Sequence, residues 1–261
     1  MGAAAPPLPR ALLPLGLLGG AVILLPLLGL ILRADFSAFL TLITEDSALT
    51  ALGLSLRTSL TATTVCILVG IPLGLLLARV RFPGISIVRT CVLLPLVLPP
   101  VVGGIALLYT FGRVGVLGSA LEAAGVQIAF TWLAVVLAQT FVSLPFMVLT
   151  VEGAVRSHDV RYERVAAGLG ASPGYTLRRV TLPVLAPALV TGTVLCFARS
   201  LGEFGATIAF AGSLQGTTRT LPLEIYLLRE TDPDGAVALS LLLVIIAAVV
   251  VGATYTRSRS R

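Results

Sequence analysis

Three ionised side chains stand inside long apolar runs: Arg57, Arg199 and Glu203. Charge in such surroundings is costly and marks either a structural cluster or a functional path. Arg199 and Glu203 are four residues apart, the spacing of an ion pair on one helix face. An arginine fork matches the geometry of an oxyanion, although a tight cationic trap slows release. Two readings stand side by side. In one, the charges hold two helices in register. In the other, they line the gate or path of a tetrahedral dianion. Thr58, Ser59, Thr61, Thr63 and Thr64 add hydroxyls to the run that holds Arg57. These either solvate a passing anion or cap backbone carbonyls of their own helix.

Other chemistry is excluded by residue type. His158 is the single histidine, which rules out a histidine metal cluster. Cys66, Cys91 and Cys196 are far apart and show no ligand spacing, so they read as small buried hydrophobes. All 18 basic residues are arginines. Without lysine there is no P-loop lysine and no Schiff-base lysine, so any ATP must be bound by another chain. No His/Asp/Cys constellation supports an integral membrane enzyme, and no inverted-repeat signal supports a secondary ion-coupled carrier.

The elements that carry these residues follow from composition. Hydrophobic residues make up 57% of the 261 residues and charged residues 11%, against about 25% in soluble proteins. A soluble chain of this length cannot hide so much apolar surface in its core, so the solvent is largely lipid. A transmembrane helix needs about 20 apolar residues. Six spans are predicted, at about 11–32, 49–78, 88–111, 128–151, 182–211 and 236–255, within a single transmembrane domain covering 1–261. The first run is longer than a signal-peptide core and lacks a small-x-small cleavage site, so it reads as a retained helix. Pro95, Pro99, Pro100 and Pro145 fall within spans and kink them. The kinks read either as packing adaptation or as bent helices lining a central path.

The net charge of +6 suits nucleic acid less well than a membrane surface. With the N-terminus inside, twelve arginines fall on the cytoplasmic side: Arg10, Arg79, Arg81, Arg89, Arg156, Arg161, Arg164, Arg178, Arg179, Arg257, Arg259 and Arg261. Four fall outside, namely Arg33, Arg113, Arg219 and Arg229. That bias predicts cytoplasmic termini. In this topology Arg199 lies roughly 25 Å along span five from the inside, and Arg57 roughly 12 Å down span two from the outside. The two are thus expected at similar depth.

The loop 152–181, between spans four and five, is too long for a plain connector. Ser157 and Asp159 are N-cap candidates. Tyr162, Val165 and Leu169 recur on one face, and Gly170 fits a helix stop before Pro173. The pattern predicts a short amphipathic helix, a turn, and a second helix entering the membrane.

The same loop resembles the signature of the inner-membrane permeases of ABC importers: Glu-Ala-Ala, three residues, Gly, nine residues, Ile-x-Leu-Pro. Here Gly170 is followed, after nine residues, by Val180, Thr181, Leu182 and Pro183. The three leading motif positions are Arg164, Val165 and Ala166, with Ala167 next; Glu163 supplies an acid one residue early. A second stretch, Gly202-Glu203-Phe204-Gly205-Ala206-Thr207 followed by Thr220-Leu221-Pro222-Leu223-Glu224-Ile225-Tyr226, resembles the molybdate permeases and, more distantly, the sulfate ones. Many members carry Asn where Ser213 stands here.

The resemblance implies an all-α type I ABC importer permease fold with six transmembrane helices and a cytoplasmic coupling helix. It implies no catalysis in this chain, with ATP and magnesium bound by a partner. The implied assembly is a second copy of this chain, two cytoplasmic ATPase subunits and an extracytoplasmic molybdate-binding protein, set in a bacterial plasma membrane. The ATPase-coupling residues would be Glu163, Arg164, Val165, Ala166, Ala167, Gly170 and Pro183. The path or gate would be Arg57, Thr58, Ser59, Arg199, Glu203, Phe204, Gly205 and Thr207. The implied cargo is molybdate, with tungstate alongside; a sulfate permease is the alternative.

Overall fold

The computed structural model describes residues 12–157 and 159–259, with side chains to residue 252. Arg10, His158 and Arg261 lie outside the described residues, as do the side chains of Arg257 and Arg259. The described chain is α-helical, and no strand occurs among the described residues. Among the described residues, five helices are long and apolar enough to cross a membrane, or six if one bent pair counts as a single span.

The first helices are α1 (Leu12–Arg33), the short α2 (Phe39–Ile43) and α3 (Asp46–Arg79). Before α2, the hydroxyl and N–H of Ser37 both donate to Asp35 Oδ1, which holds that carboxyl below its ordinary range. Helix α1 buries nothing within the chain and touches the body through the last helix. Its exposed leucines suit lipid. Helix α3 is 34 residues long, or about 51 Å. It packs along α7 (Trp132–Ser157). The closeness rests on Gly70 and Gly74, a small-xxx-small pair. A Cβ on Gly70 would lie 2.8 Å from Met147 Cγ, and one on Gly74 2.8 Å from Val151 Cβ.

The expected third span is two helices, α4 (Ile85–Val97) and α5 (Pro100–Phe111), bent by 119°. The cause is local. Leu98 and Pro99 each precede a proline, which disfavours helical ψ. Their ψ values are 137° and 131°. After α6 (Gly118–Ala123), helix α7 starts four residues later than expected and runs on to Ser157.

The loop folds as α8 (Arg161–Gly168) and α9 (Pro173–Thr176), followed by a π turn over Leu177–Thr181 and then α10 (Leu182–Leu201). The π turn has a chemical origin. Pro183 has no N–H to close an ordinary helical bond, and Leu182 N–H reaches five residues back to Leu177 O. The expected fifth span, 182–211, is also broken. Helix α10 stops at Leu201, and a separate α11 (Gly205–Ala211) packs against α5 and α7. Helix α12 (Leu221–Thr231) lies in a segment expected to be loop, and α13 (Pro233–Arg259) closes the bundle. Ser55 of α3 caps α12 by accepting the Leu221 N–H at 2.6 Å.

Candidate functional site: a coupling helix and a broken span

Helix α8 forms as its sequence requires. Asp159 Oδ1 accepts the Arg161 N–H at 2.9 Å at its start. Ser157, the other N-cap candidate, ends α7 instead and donates to Gly153 O. At its end, Ala171 N–H donates to Ala166 O and Gly170 N–H to Ala167 O, each at 3.0 Å. These paired bonds form a Schellman stop, with Gly170 at φ +83°. Ser172 then caps α9 through Tyr175 N–H, with Pro173 at the first helical position.

The two faces of α8 differ. Tyr162, Val165 and Leu169 are exposed, Leu169 at 84%. Arg164 and Ala167 are exposed too, whereas Glu163 and Ala166 are half-buried. Glu163 turns toward the bundle. Its Oε1 receives Arg79 Nη2 from the last turn of α3 at 2.5 Å. It also receives Thr181 Oγ1 from the π turn at 2.6 Å.

A second ionic junction lies beside the first. Glu152 of α7, 5% exposed, takes Arg89 of α4 at 2.8 Å and Arg156 of its own helix at 2.6 Å. Arg89 also donates to Leu77 O at the end of α3. Sequence reasoning did not single out Glu152. The available signal was one acid at the end of a long apolar helix.

The far half of the bundle holds the other expected residues. Arg199 pairs with Glu203 at 2.5 Å. Glu203 is 1% exposed and also accepts the Ala206 N–H at 2.7 Å. One carboxylate therefore neutralises the end of α10 and caps the start of α11, holding the break at Gly202–Phe204. Phe204 packs on Tyr226 of α12, ring centroids 5.0 Å apart. Gly205 is half-buried and Thr207 fully buried.

Arg57 does not join this cluster. It is exposed on the α3 face shared with Leu60, Thr64 and Leu68 and makes no ion pair among the described residues. Thr58 and Ser59 lie on the buried face. The expected charge cluster between the second and fifth spans thus reduces to the Arg199–Glu203 pair. The hydroxyls of Thr58, Thr61, Thr63 and Thr64 bond to carbonyls within α3. The buried Ser59, Gln139 and Thr207 and the half-buried Thr140 keep unpartnered side-chain polar atoms.

Cys66 and Cys196 are buried in one apolar cluster with Met147, and Cys91 is exposed. No group of acids, cysteines or histidines able to hold a metal occurs among the described residues.

Apolar helices with one bent span, joined to a short helix with an outward apolar face, make an integral membrane protein, and its fold is that of the type I ABC importer permeases. Solved structures agree on the fold. A bacterial ABC transporter involved in import of the acidic polysaccharide alginate superposes with a TM-score of 0.70 at 21% identity, covering 96% of each chain. The MetNI methionine ABC transporter, in inward-facing conformations, gives 0.63 at 20% identity, covering 80% of this chain and 94% of its own. The family model for the binding-protein-dependent transport system inner membrane component matches residues 70–261. The chain belongs to that family, a multi-pass membrane transport component.

Among relatives, the molybdenum transport system permease protein ModB of Mycobacterium tuberculosis is 59% identical over 244 residues, covering 94% of this chain and 92% of its own. ModB of Escherichia coli is 41% identical, covering 72% and 85%. The sulfate transport system permease protein CysT of Salmonella typhimurium is 34% identical, covering 84% and 80%.

Proposed function

We propose that this chain is the permease subunit of an ABC importer that moves molybdate, and tungstate with it, into the cell. The observation that carries the coupling role is α8: an exposed apolar face on one side and a carboxylate tied into the bundle on the other. Two copies of the chain form the pore. Both termini are cytoplasmic, in keeping with the arginine bias, which puts α8 where two separate ATPase subunits dock. Those subunits bind ATP and magnesium, and this chain needs no cofactor of its own. An extracytoplasmic binding protein delivers the anion to the end that carries α12. Cargo follows the relatives: the 59% identity to a molybdenum permease supports molybdate over the sulfate reading, which rests on 34%.

Transport is a change of access driven by differential binding of ATP and loaded binding protein. Glu163, Arg164, Val165, Ala166, Ala167 and Gly170 build the coupling helix, and Pro183 sets the π turn behind it. Arg57 and Arg199 have the exposure to meet an anion. Thr58, Ser59, Glu203, Phe204, Gly205 and Thr207 shape the wall and the broken helix behind them. Vesicle uptake by the purified complex, comparing molybdate, tungstate and sulfate, tests the assignment. Sulfate uptake equal to molybdate uptake would defeat it.

A further inference from the structure

Glu163 stands one residue ahead of the acidic position of the family signature, and its side chain does not share the outward apolar face of α8. Tyr162, Val165 and Leu169 point outward at 63%, 62% and 84% exposure. The Glu163 side chain is 16% exposed and sits between Arg79 and Thr181. These partners end the two elements that α8 must move. Arg79 is in the last turn of α3, and Thr181 closes the π turn that opens α10. The chain itself joins α8 to α7, through residues 158–160, and to α9, through residues 169–172, and neither link reaches α3.

We propose that Glu163 is a positioning residue that links α8 to α3 and α10, so that displacement of the docked helix reaches the membrane spans. The proposal rests on the ABC permease reading above and assigns Glu163 an intramolecular role in place of a contact to the ATPase. The junction extends further. The last turn of α3 also offers Leu77 O to Arg89 of α4, which is paired with Glu152 of α7. Movement of α3 is therefore transmitted to the bent α4–α5 pair. The π turn suits such a joint, because π bulges concentrate at functional positions and this one turns the Thr181 hydroxyl onto the carboxylate.

The test uses the full transporter reconstituted in vesicles with its ATPase and binding protein, with molybdate as cargo. Three quantities are read for each variant: ATPase subunit retained through purification, ATP hydrolysed, and anion moved per ATP. Glu163→Gln, Thr181→Val and Arg79→Glu should each retain the ATPase subunit and move about tenfold fewer anions per ATP, a coupling loss of ordinary allosteric size. The double variant Arg79→Glu/Glu163→Arg should recover most of that loss. Leu169→Asp, on the docking face, should shed the ATPase subunit. The proposal is overturned if Glu163→Gln sheds the ATPase subunit as Leu169→Asp does, if the anion-to-ATP ratio is unchanged, or if the double variant is no better than its singles. A wild-type complex that moves no anion under ATP would overturn the functional reading itself.

Discussion

Arg89 Nη2 lies 2.8 Å from Glu152 Oε1, an ion pair that joins α4 to α7. Glu152 is almost fully buried and carries two arginines, whereas Arg89 keeps 29% of its side chain exposed. Removing the acid leaves Arg89 without its countercharge and with only the Leu77 carbonyl. Breaking such a pair from one side costs about 3 kcal/mol. Glu152→Ala should therefore lower the unfolding temperature of the detergent-solubilised chain by several degrees, and Arg156→Ala, at the exposed partner, by much less. Equal shifts for the two variants would show that burial does not set the cost.

Gly74 allows α3 and α7 to touch. An added methyl would meet Val151 Cβ at 2.8 Å and Val148 O at 3.0 Å, and neither backbone nor β-branched side chain yields easily. Gly74→Ala should cost about 1–3 kcal/mol by overpacking. Gly153→Ala, with nothing within 4 Å, is the matched control. Thermal unfolding of both variants checks this, and a Gly74→Ala protein as stable as the control would contradict the packing argument.

Much of this fold was legible because lipid demands long apolar runs, and α1, α3, α7 and α13 announce themselves that way. Gly170 and Pro173 marked the end of α8 for stereochemical reasons that hold in any context. The breaks were less legible. Pro99 and Pro100 signalled a kink, but a 119° turn needs both preceding residues extended at once. The α10–α11 break has no proline at its centre; Gly202 and the buried acid Glu203 were its only marks. Which face of α3 carries Arg57 was hidden, because lipid and core are equally apolar. The exposed Leu60 and Leu68 look in sequence like the buried Leu54 and Leu77. Pairs such as Arg79–Glu163 join residues 84 positions apart, which no spacing rule reaches.

Glu203 does two jobs, and substitution separates them. Glutamine keeps an oxygen for the Ala206 N–H but strips Arg199 of its partner, whereas alanine loses both. Glu203→Ala should be less stable than Glu203→Gln by about 1 kcal/mol, the size of a helix cap. Adding Arg199→Gln to Glu203→Gln should restore stability, because no unpaired charge remains. Chemical or thermal unfolding of the three variants reads this directly. Identical alanine and glutamine variants would mean that the cap contributes nothing.

Gly170 sits at φ +83° with open space around its Cα, so only backbone strain opposes a side chain there. Gly170→Ala should cost about 1 kcal/mol locally. That strain should speed amide exchange about fivefold at Gly170 and Ala171, whose N–H groups close the end of α8. Unchanged exchange would show that the turn tolerates a left-handed alanine.

Arg57 offers the clearest separation of transport from stability. Its guanidinium is exposed and takes no ion-pair partner among the described residues, so neutralising it removes no contact within the chain. Arg57→Gln should leave unfolding within about 0.5 kcal/mol of the parent. If the α3 face it shares with Leu60, Thr64 and Leu68 borders the anion path, its field raises local anion concentration. Uptake by Arg57→Gln vesicles should then fall about tenfold at low ionic strength. The deficit should shrink as salt screens the charge over a Debye length of about 8 Å at physiological strength. Arg57→Lys keeps the charge but loses the fork, so it should fall between the two. A salt-independent deficit would assign Arg57 a steric role, and an unaltered rate would place it on a face that meets lipid headgroups instead of cargo.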